Sequence, residues 1–507
     1  MTPDVSTDLL NAEPEASVPP RQVLSHPAIS NGLRLVLSAL FLLLICNQHC
    51  FYEQDQLAKA AQVMALAKEP NLLNFPAVTD YYRKNLFSAY YFAADIFQQA
   101  TRLPPLQSMN LLSVLCGTLT FTMMPVLTRR LFGVSEWLTW LVMLGTPILA
   151  LTFTYGNETA FALVCVVTAA FFLSLESTVA LVFAAIFFGL AIFARTDYLF
   201  LGLALSLLTL KREGGSISWP RSLKRLLVFC GSAAIFGAAY LAVFLRGIPS
   251  ATLFEYHTNL KLFFAFLLYG PGYITMLLGL TGVYVCLASR RWKFFLLLPI
   301  LVQSLPYLNR LTSPKYIIPA YLALLIFAVV GLEEVRKRSI VLCAVILAFP
   351  WFFSITPFGV FGPSKSAIWY LPSDAGAIPV GGYLSFYRQV KLGFFQERYD
   401  QELEQVGEGM TLVEKQPATS DLVGFFNPQT LRFWATRHGR WDIPPDHMSF
   451  WDTDSLKDVA HRPKFMIKMS YLYPFKLPAE LRSQLDSFYQ VPAASSRGLK
   501  RSILFPT

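Results

Sequence analysis

The sequence predicts an α-helical polytopic membrane protein of about eleven transmembrane helices, followed by a small C-terminal extracytoplasmic domain of α/β or α+β type. Of 507 residues, 54% are hydrophobic and 15% are charged, whereas soluble globular proteins carry about 25% charged residues. Eleven apolar stretches approach the roughly 20 residues that a helix needs to cross the hydrocarbon layer. Residues 357–507 are more polar, and their number suffices for one domain with a core of its own.

Each predicted span is an apolar run between polar or charged residues. The runs lie near 33–50, 107–128, 136–155, 159–175, 177–195, 197–210, 226–245, 271–289, 294–309, 316–333 and 339–356. Two of them, 197–210 and 294–309, are short and would need flanking residues or a thinned bilayer to complete the span. Residues 1–31 are polar and lack the order of regions found in a signal peptide, so they are predicted to form a disordered cytoplasmic tail before a membrane domain at 32–356.

The distribution of basic residues predicts which way the spans point. When the spans are taken alternately, thirteen basic residues fall in short connections on the side of the N-terminal tail: Arg129, Arg130, Lys211, Arg212, Arg221, Lys224, Arg225, Arg290, Arg291, Lys293, Arg336, Lys337 and Arg338. The opposite short loops carry far fewer: Arg195, Arg246, Lys261, Arg310 and Lys315. Because basic loops stay in the cytoplasm, residues 51–107 and 357–507 are predicted to lie outside it. The net charge of +10 is then mostly an orientation signal, and a nucleic-acid partner is excluded.

The first outer loop, 51–107, has amphipathic segments near 57–66 and 86–100. In the first segment, apolar residues recur at near-helical spacing beside four polar residues: Gln54, Asp55, Lys59 and Gln62. The pattern predicts helices that lie on the membrane surface at the outer boundary with water. Four tyrosines are expected to anchor this loop at that boundary: Tyr81, Tyr82, Tyr90 and Tyr91. In the C-terminal region, residues 421–426 and 464–469 are predicted to form short strands.

Ionisable residues collect at the outer ends of the predicted spans. They come from separate loops: Glu53, Asp55, Arg83, Lys84, Glu158, Arg195, Asp197, His257, Arg310 and Lys315. Charged groups are costly away from water, so such a collection in a membrane protein indicates a candidate functional site. Acids and bases that meet at one face would supply a carboxylate base and a cationic clamp for phosphate. The seven cysteines include no CxxC pair, and no metal ligands are predicted.

Four segments resemble motifs of the GT-C superfamily of polytopic glycosyltransferases that use polyprenyl-phosphate sugars, and within it the PMT/ArnT-like family. The segments are FYEQDQLAKA at 51–60, YGNET at 155–159, FGLAIFARTDYL at 188–199 and SPKYIIPAY at 313–321. The sequence departs from the family pattern in two places. The acidic pair of the first motif is separated, as Glu53 and Asp55, and Lys315 stands where the fourth motif has an arginine.

The resemblance implies an inverting transfer of a sugar from a polyprenyl-phosphate donor to an extracytoplasmic glycan, lipid or protein acceptor. It implies a carboxylate base in the first outer loop, either Asp55 or Glu53, and the Tyr-x-x-Asp spacing favours Asp55. Glu158 would orient the substrate. Candidates for binding the phosphate or the rest of the substrates are Arg195, Arg310, Lys315, Asp197, Arg83, Lys84 and His257. No cofactor is firmly predicted, although a divalent cation would suit the carboxylates.

The expected location is the bacterial cytoplasmic (inner) membrane, with the N-terminus in the cytoplasm and the C-terminal domain periplasmic or extracellular. Two other functions stay open: a secondary transporter, and a membrane-anchored binding protein of cell-envelope glycan assembly. Individual residues also have structural interpretations. Arg195 and Asp197 could form an ion pair that closes a tight turn, Arg310 and Lys315 could be interfacial anchors, and His257 could make a structural hydrogen bond.

Overall fold

A computed structural model describes most of the helical region and part of the C-terminal region. The longer described segments are 27–50, 54–68, 88–175, 177–210, 216–244, 272–307 and 314–352. The shorter ones are 212–213, 369–371, 378–380, 382–392, 403–404, 407, 422–424, 433–434, 436–438, 465–468, 488–493 and 501–506. All statements below concern these residues.

Fifteen helices are described along the chain. They are α1 Pro27–Ile45, α2 Gln54–Lys68, α3 Ala89–Thr101, α4 Pro105–Phe132, α5 Glu136–Leu144, α6 Pro147–Thr152, α7 Glu158–Leu173, α8 Thr178–Ala194, α9 Leu201–Leu207, α10 Trp219–Phe244, α11 Tyr273–Ala288, α12 Leu298–Val302, α13 Ile318–Arg338, α14 Ile340–Phe352 and α15 Gly382–Leu392. Short 3₁₀ segments occur at Thr196–Phe200, Trp292–Leu297, Leu305–Tyr307 and Pro314–Ile317.

Helical structure occurs at every predicted apolar stretch. Within the described segments, four stretches are long and apolar enough to cross a membrane by length and composition: Ala28–Ile45, Pro105–Phe132, Trp219–Ala242 and Lys315–Arg338. The predicted stretch 136–155 is divided into two helices, α5 and α6. Pro147 begins the second helix, and its missing N–H and fixed φ angle prevent it from continuing the first.

The first helix begins earlier than predicted. The predicted tail extends to residue 31, but α1 already begins at Pro27. Proline is favoured at the first helical position, where its missing N–H would have no partner in any case. The disordered-tail prediction is therefore wrong for residues 27–31, and residues 1–26 lie outside the described chain.

Helix α4 forms the centre of the helical region and packs against α1, α3, α5 and α7. It begins at Pro105 and ends at Phe132, and the next residue, Gly133, has a φ of 73° in the left-handed region that glycine adopts without a steric penalty. Arg129 and Arg130 lie in its last turn, where positive charge interacts favourably with the helix dipole. Its 28 residues span about 42 Å at 1.5 Å per residue.

Helices α11 and α13 cross with their backbones almost in contact. A Cβ atom at Gly282 would lie 1.8 Å from the carbonyl oxygen of Phe327, and one at Gly331 would lie 2.4 Å from that of Leu278. Neither helix can accept a side chain at these points without moving away. Such small-residue crossings are typical of helix packing in membranes, where close backbone approach replaces hydrophobic burial.

The two described helices of the first loop pack against the other helices. Helix α2 contacts α3 and α4, and this packing covers Lys59 and Gln62, which are 7% and 1% exposed. Tyr90 and Tyr91 of α3 are buried in the same core, so the prediction that these two tyrosines anchor the loop at the boundary with water is wrong. The position of the two helices at the membrane surface stays a prediction, and Tyr81 and Tyr82 lie outside the described residues.

The C-terminal region contains two small sheets. Strands β3 (Trp369–Leu371) and β4 (Ile378–Val380) pair antiparallel. A four-stranded mixed sheet has the order β5-β6-β8-β7, with β5 Leu422–Gly424, β6 Phe465–Lys468, β7 Phe488–Ala493 and β8 Arg501–Pro506. The predicted strands at 421–426 and 464–469 are confirmed as β5 and β6. Outside the C-terminal region, β1 (Arg212–Glu213) and β2 (Ser216–Ile217) form a separate antiparallel pair after α9.

Helix α15 attaches this region to the helices that precede it. The Tyr387 hydroxyl donates to the carbonyl oxygen of Leu144 at 2.9 Å, at the end of α5. The Lys391 ammonium donates to the carbonyl oxygen of Cys46 at 2.8 Å, and Asn47 Nδ2 donates to the carbonyl oxygen of Lys391 at 2.9 Å. These bonds fix the chain directly after α1, which leads into the first loop.

Candidate functional site

Four connections meet at one end of the helical region. We call their described residues together the polar end: 46–50 after α1, 153–157 before α7, 195–198 after α8, and 303–307 with 314–316 before α13. Side-chain hydrogen bonds, rather than regular backbone pairing, join these connections to one another and to α2. The described polar residues of these connections are therefore neighbours in the fold.

Asn110, in the second turn of α4, joins α2 to two of these connections. Its Nδ2 group donates to the carbonyl oxygens of Asn47, Gln48 and Cys50 at 3.1 to 3.3 Å. Its Oδ1 accepts from Gln56 Nε2 of α2 at 2.6 Å and from the backbone N–H of Gly156 at 2.8 Å. Asn110 is fully buried, and an amide there is stable because both of its polar atoms have partners.

Glu158 opens helix α7 and receives two donors from the first loop. The Lys59 ammonium of α2 lies 2.6 Å from its Oε2, and the Tyr91 hydroxyl of α3 donates to its Oε1 at 3.2 Å. Asn157 caps the same helix, accepting from the N–H of Ala160 at 2.9 Å. A carboxylate in the first helical turn is also favoured by the helix dipole, so this position suits an ionised glutamate.

The pKa of Glu158 is set by opposing effects. Burial alone would raise it, because desolvation disfavours the charged form. The nearby ammonium of Lys59, through both its charge and its hydrogen bond, and the charge of Lys315 outweigh burial and lower the pKa below its ordinary value of 4.5. Glu158 is therefore an anion at neutral pH.

Arg195 and Asp197 form a bidentate ion pair. Arg195 Nε lies 3.0 Å from Asp197 Oδ1, and Arg195 Nη2 lies 2.9 Å from Asp197 Oδ2. Arg195 Nη1 also donates to the Thr159 hydroxyl at 3.0 Å, and Nη2 to the Tyr307 hydroxyl at 3.4 Å. Gln303 Nε2 donates to Asp197 Oδ2 at 2.8 Å. This arrangement joins the turn after α8 to the start of α7 and to the chain before α13.

Aromatic rings surround the Arg195 guanidinium. Its carbon lies 4.8 Å from the ring centroid of Tyr316 and 5.5 Å from that of Tyr198. Tyr316 also stacks on Tyr307 at 5.3 Å. Lys315 is buried, at 3% exposure, and its Nζ lies 5.3 Å from the Tyr316 centroid. Such cation–π contacts stabilise a desolvated cation by about 2 kcal/mol.

An apolar cavity of about 90 Å³ lies among the helices, and its lining extends from residues near the polar end, such as Leu201 and Pro319, to Leu131 and Phe132 in the last turn of α4. Aliphatic and aromatic side chains of α4, α7, α9, α12 and α13 make up most of its wall. Three lining residues lie within four positions of a polar-end residue: Leu201 of Asp197, Ile300 of Gln303 and Pro319 of Lys315. The chain therefore passes from the polar end to the wall of this apolar space within one helical turn at three places.

Two solved structures resemble this chain over nearly its whole length. ArnT from Cupriavidus metallidurans in the apo state has a TM-score of 0.51 and 16% sequence identity, covering 94% of this chain and 98% of that one. ArnT bound to undecaprenyl phosphate has the same TM-score and coverage at 14% identity. The archaeal oligosaccharyltransferase AglB from Archaeoglobus fulgidus, with an inhibitory peptide and a dolichol-phosphate, is less similar, with a TM-score of 0.47 and 12% identity over 87% of this chain and 69% of that one.

The chain has a GT-C-like fold. ArnT is a GT-C glycosyltransferase, and its similarity to this chain confirms the fold that the resemblance of the four motifs implied. No family model and no curated protein matches the sequence.

The GT-C-like fold brings four of the predicted site residues together: Glu158, Arg195, Asp197 and Lys315. Asp55 is the second residue of α2, one helical turn before Lys59. Five predicted residues lie outside the described chain: Glu53, Arg83, Lys84, His257 and Arg310. Among the residues that are described, no three His, Cys, Asp or Glu side chains come together as metal ligands would.

Several residues of the candidate site were not predicted. They are Lys59, Tyr91, Asn110, Gln303 and Tyr307. Asn110 and Gln303 carried a recognisable signal, since each is an amide inside a predicted apolar span, where polar groups are costly. Lys59 carried none, because its pattern is also that of a solvent-facing lysine on an amphipathic helix.

Proposed function

We propose that this chain is a membrane glycosyltransferase that transfers a sugar from a polyprenyl-phosphate donor to an extracytoplasmic acceptor. The observation that supports the proposal is the presence of a charged polar end and of an apolar cavity whose lining begins within four residues of it in the chain. A lipid phosphate has matching chemistry, with an anionic headgroup next to a hydrocarbon chain. ArnT, which has the same fold, has been solved with undecaprenyl phosphate bound, and this supports the class of donor.

The charges at the polar end favour an anionic ligand. The described ionised side chains at the polar end and directly beside it are Lys59, Arg195, Lys315, Glu158 and Asp197, of which three are cations. Lys59 is paired with Glu158 and Arg195 with Asp197, and the charge of Lys315 also acts on Glu158. Lys315 is a buried cation, which a bound anion would stabilise further. We assign the phosphate contact to Lys315, with Arg310, Arg83, Lys84 and His257, which lie outside the described residues, as further candidates.

The proposed reaction is a direct displacement at the sugar. The acceptor hydroxyl oxygen forms a bond to the anomeric carbon, and its proton passes to a carboxylate. The bond from that carbon to the phosphate oxygen breaks, and its electron pair stays on the lipid phosphate. Such transfers pass through an oxocarbenium-like state, and positioned cations stabilise the charge that develops on the leaving group.

We assign the base to Asp55, with Glu53 as the alternative. A positioned base contributes about 10² to 10⁴-fold to such a step. Glu158 is less suited to this role, because its lowered pKa makes it a weak proton acceptor at neutral pH, and it fits substrate orientation. The four donated bonds of Arg195 favour a role in holding Asp197 and the surrounding turns.

The proposal includes the bacterial inner membrane as the location, with the polar end and the C-terminal region on the periplasmic or extracellular side. The acceptor would be a glycan, a lipid or a protein that reaches this face. The proposed transfer inverts the configuration at the anomeric carbon and uses Asp55, or alternatively Glu53, as the base. A divalent cation would be compatible with the carboxylates of the first loop.

The test uses purified protein, a radiolabelled polyprenyl-phosphate sugar and a membrane extract as acceptor. The intact chain should release free polyprenyl phosphate and label the acceptor. Asp55→Asn should lose transfer while it still binds undecaprenyl phosphate, and Lys337→Met, at an exposed ion pair far along α13, should retain transfer. Accumulation of the donor inside vesicles without transfer would indicate a transporter, and undiminished transfer by Asp55→Asn would remove Asp55 from the mechanism.

A further inference from the structure

We propose that Lys59 is a positioning residue. Its ion pair with Glu158 holds helix α2, which contains Asp55, against the start of α7. This inference rests on the proposed function for its catalytic meaning. The contact itself is a property of the fold that does not depend on the reaction. It connects the first loop with a helix almost a hundred positions further along the chain.

The burial of Lys59 requires a partner. Its side chain is 8% exposed, and its ammonium lies 2.6 Å from Glu158 Oε2, whose side chain is 18% exposed. Lysine is strongly hydrated and flexible, and it usually extends its ammonium to water. Here the packing of α2 against α3 and α4 covers the side chain, so that pairing with Glu158 replaces hydration.

Helix α2 is held at two successive turns on the same side. Gln56 Nε2 donates to Asn110 Oδ1 at 2.6 Å, and Lys59 reaches Glu158 three residues later. Residues three apart lie on one face of a helix. A rotation or slip of α2 would break both contacts at once, and it would move Asp55, which directly precedes Gln56. The two contacts therefore fix where the backbone of Asp55 lies relative to α4 and α7.

The electrostatic environment of Glu158 makes this role measurable. Among the described residues, the charged and titratable groups that face its carboxylate are Lys59 from α2, Tyr90 and Tyr91 from α3, and Lys315 from the segment before α13. If the Lys59 charge is removed, the largest influence that lowers the pKa of Glu158 is lost, while the desolvation that raises it remains. Glu158 would then take up a proton at higher pH than in the intact protein.

The experiment compares Lys59→Met with Lys59→Arg, with Glu158→Gln and with the reversed pair Lys59→Glu/Glu158→Lys. Lys59→Met should lower kcat by about tenfold or more, since displacing a catalytic group by 1 Å can cost about 10²-fold, and should leave the KM for donor nearly unchanged. Its loss of kcat on acidification should begin at higher pH, and this shift should disappear when Glu158→Gln is added. Lys59→Arg and the reversed pair should recover part of the activity.

A second measurement does not need the reaction. Hydrogen–deuterium exchange of residues 54–68 should be about tenfold faster in Lys59→Met, because a helix that loses its anchoring contacts opens more often. It should return towards the original rate in the reversed pair, while Lys337→Met leaves it unchanged. Unchanged exchange in Lys59→Met would overturn the anchoring role, even if the chain transfers no sugar. Faster exchange in Lys59→Met with an unaltered kcat and pH profile would overturn the positioning role. If the intact chain transfers no sugar, that result contradicts the proposed function but not the anchoring of α2.

Discussion

The two carboxylate oxygens of Asp197 accept hydrogen bonds from two different nitrogens of Arg195, Nε at 3.0 Å and Nη2 at 2.9 Å. The pair spans only two positions in the chain and closes the turn that ends α8. Gln303 Nε2 donates to one of the same oxygens, so the turn is also joined to the segment before α13. Bidentate geometry of this kind adds orientation as well as energy.

Removal of the Asp197 charge should destabilise the protein more than removal of the whole pair. In Asp197→Asn, the buried guanidinium of Arg195 loses its counter-charge, and breaking a buried pair from one side costs about 3 to 5 kcal/mol. The double variant Arg195→Met/Asp197→Leu buries no charge at this place and should lose less. Unfolding in mixed detergent measures both free energies. Equal stability of Asp197→Asn and the unaltered protein would contradict the structural importance of the pair.

Asn110→Leu should disrupt the polar end. The substitution leaves the N–H of Gly156 and the amide of Gln56 without their shared acceptor, and each buried unsatisfied polar group costs about 1 to 3 kcal/mol. We expect a lower thermal midpoint and a loss of transfer of about tenfold or more, since the connections that Asn110 holds would shift. Thr122→Val on the same helix removes only a local bond to the carbonyl of Thr118 and should change neither. A stable, active Asn110→Leu would refute this role.

The extent to which the sequence determines this fold differs between its parts. Hydropathy located the helices, because a membrane span must be continuous and apolar over a fixed length. It did not locate the division between α5 and α6, although Gly145 and Pro147 are residues that end and begin helices. It also did not predict the burial of Lys59, Gln62, Tyr90 and Tyr91 in the first loop, because periodicity alone cannot tell whether a polar helix face contacts water or other helices.

Part of the candidate site was predictable from the sequence, because a membrane makes charged residues costly as well as requiring apolar spans. Glu158, Arg195, Asp197 and Lys315 were identified because ionisable residues at span ends are costly unless they are used or paired. The pairing itself was not visible, since Lys59 and Glu158 meet only after α2 has packed against α3 and α4. The second interpretation of Arg195 and Asp197, an ion pair that closes a turn, agrees with the geometry observed.

Alanine should have opposite effects on stability at two glycines, one at the crossing of α11 and α13 and one outside it. Gly282→Ala places a Cβ atom 1.8 Å from the Phe327 carbonyl oxygen, so the helices must separate, and we expect a loss of a few kcal/mol, as for other overpacked sites. Gly237→Ala on α10 meets no atom within 4 Å and should gain up to about 1 kcal/mol from helix propensity. Thermal unfolding of the two variants checks this. A neutral Gly282→Ala would mean that the helices do not cross this closely.

The stability contributed by Glu158 should depend on pH in a defined direction. Its pKa is lowered in the folded protein from an ordinary value of 4.5, so its contribution is present above about pH 4.5 and is lost as pH falls through the lower folded pKa. The difference in thermal midpoint between the unaltered protein and Glu158→Gln should therefore be largest at neutral pH and shrink on acidification below about pH 4.5. Glu334→Gln, at an exposed pair, should show little difference at any pH. A difference for Glu158→Gln that grows on acidification would contradict the assigned charge state.

The most direct measurement is a cryo-electron microscopy structure of the full chain with undecaprenyl phosphate. We expect the phosphate at the polar end, about 3 Å from Lys315 Nζ as in a charge-assisted hydrogen bond. The hydrocarbon chain should continue past Leu201 and Pro319 into the apolar cavity. A phosphate bound at the opposite end, near Arg129, or a hydrocarbon chain that stays outside the cavity, would contradict the proposed donor site.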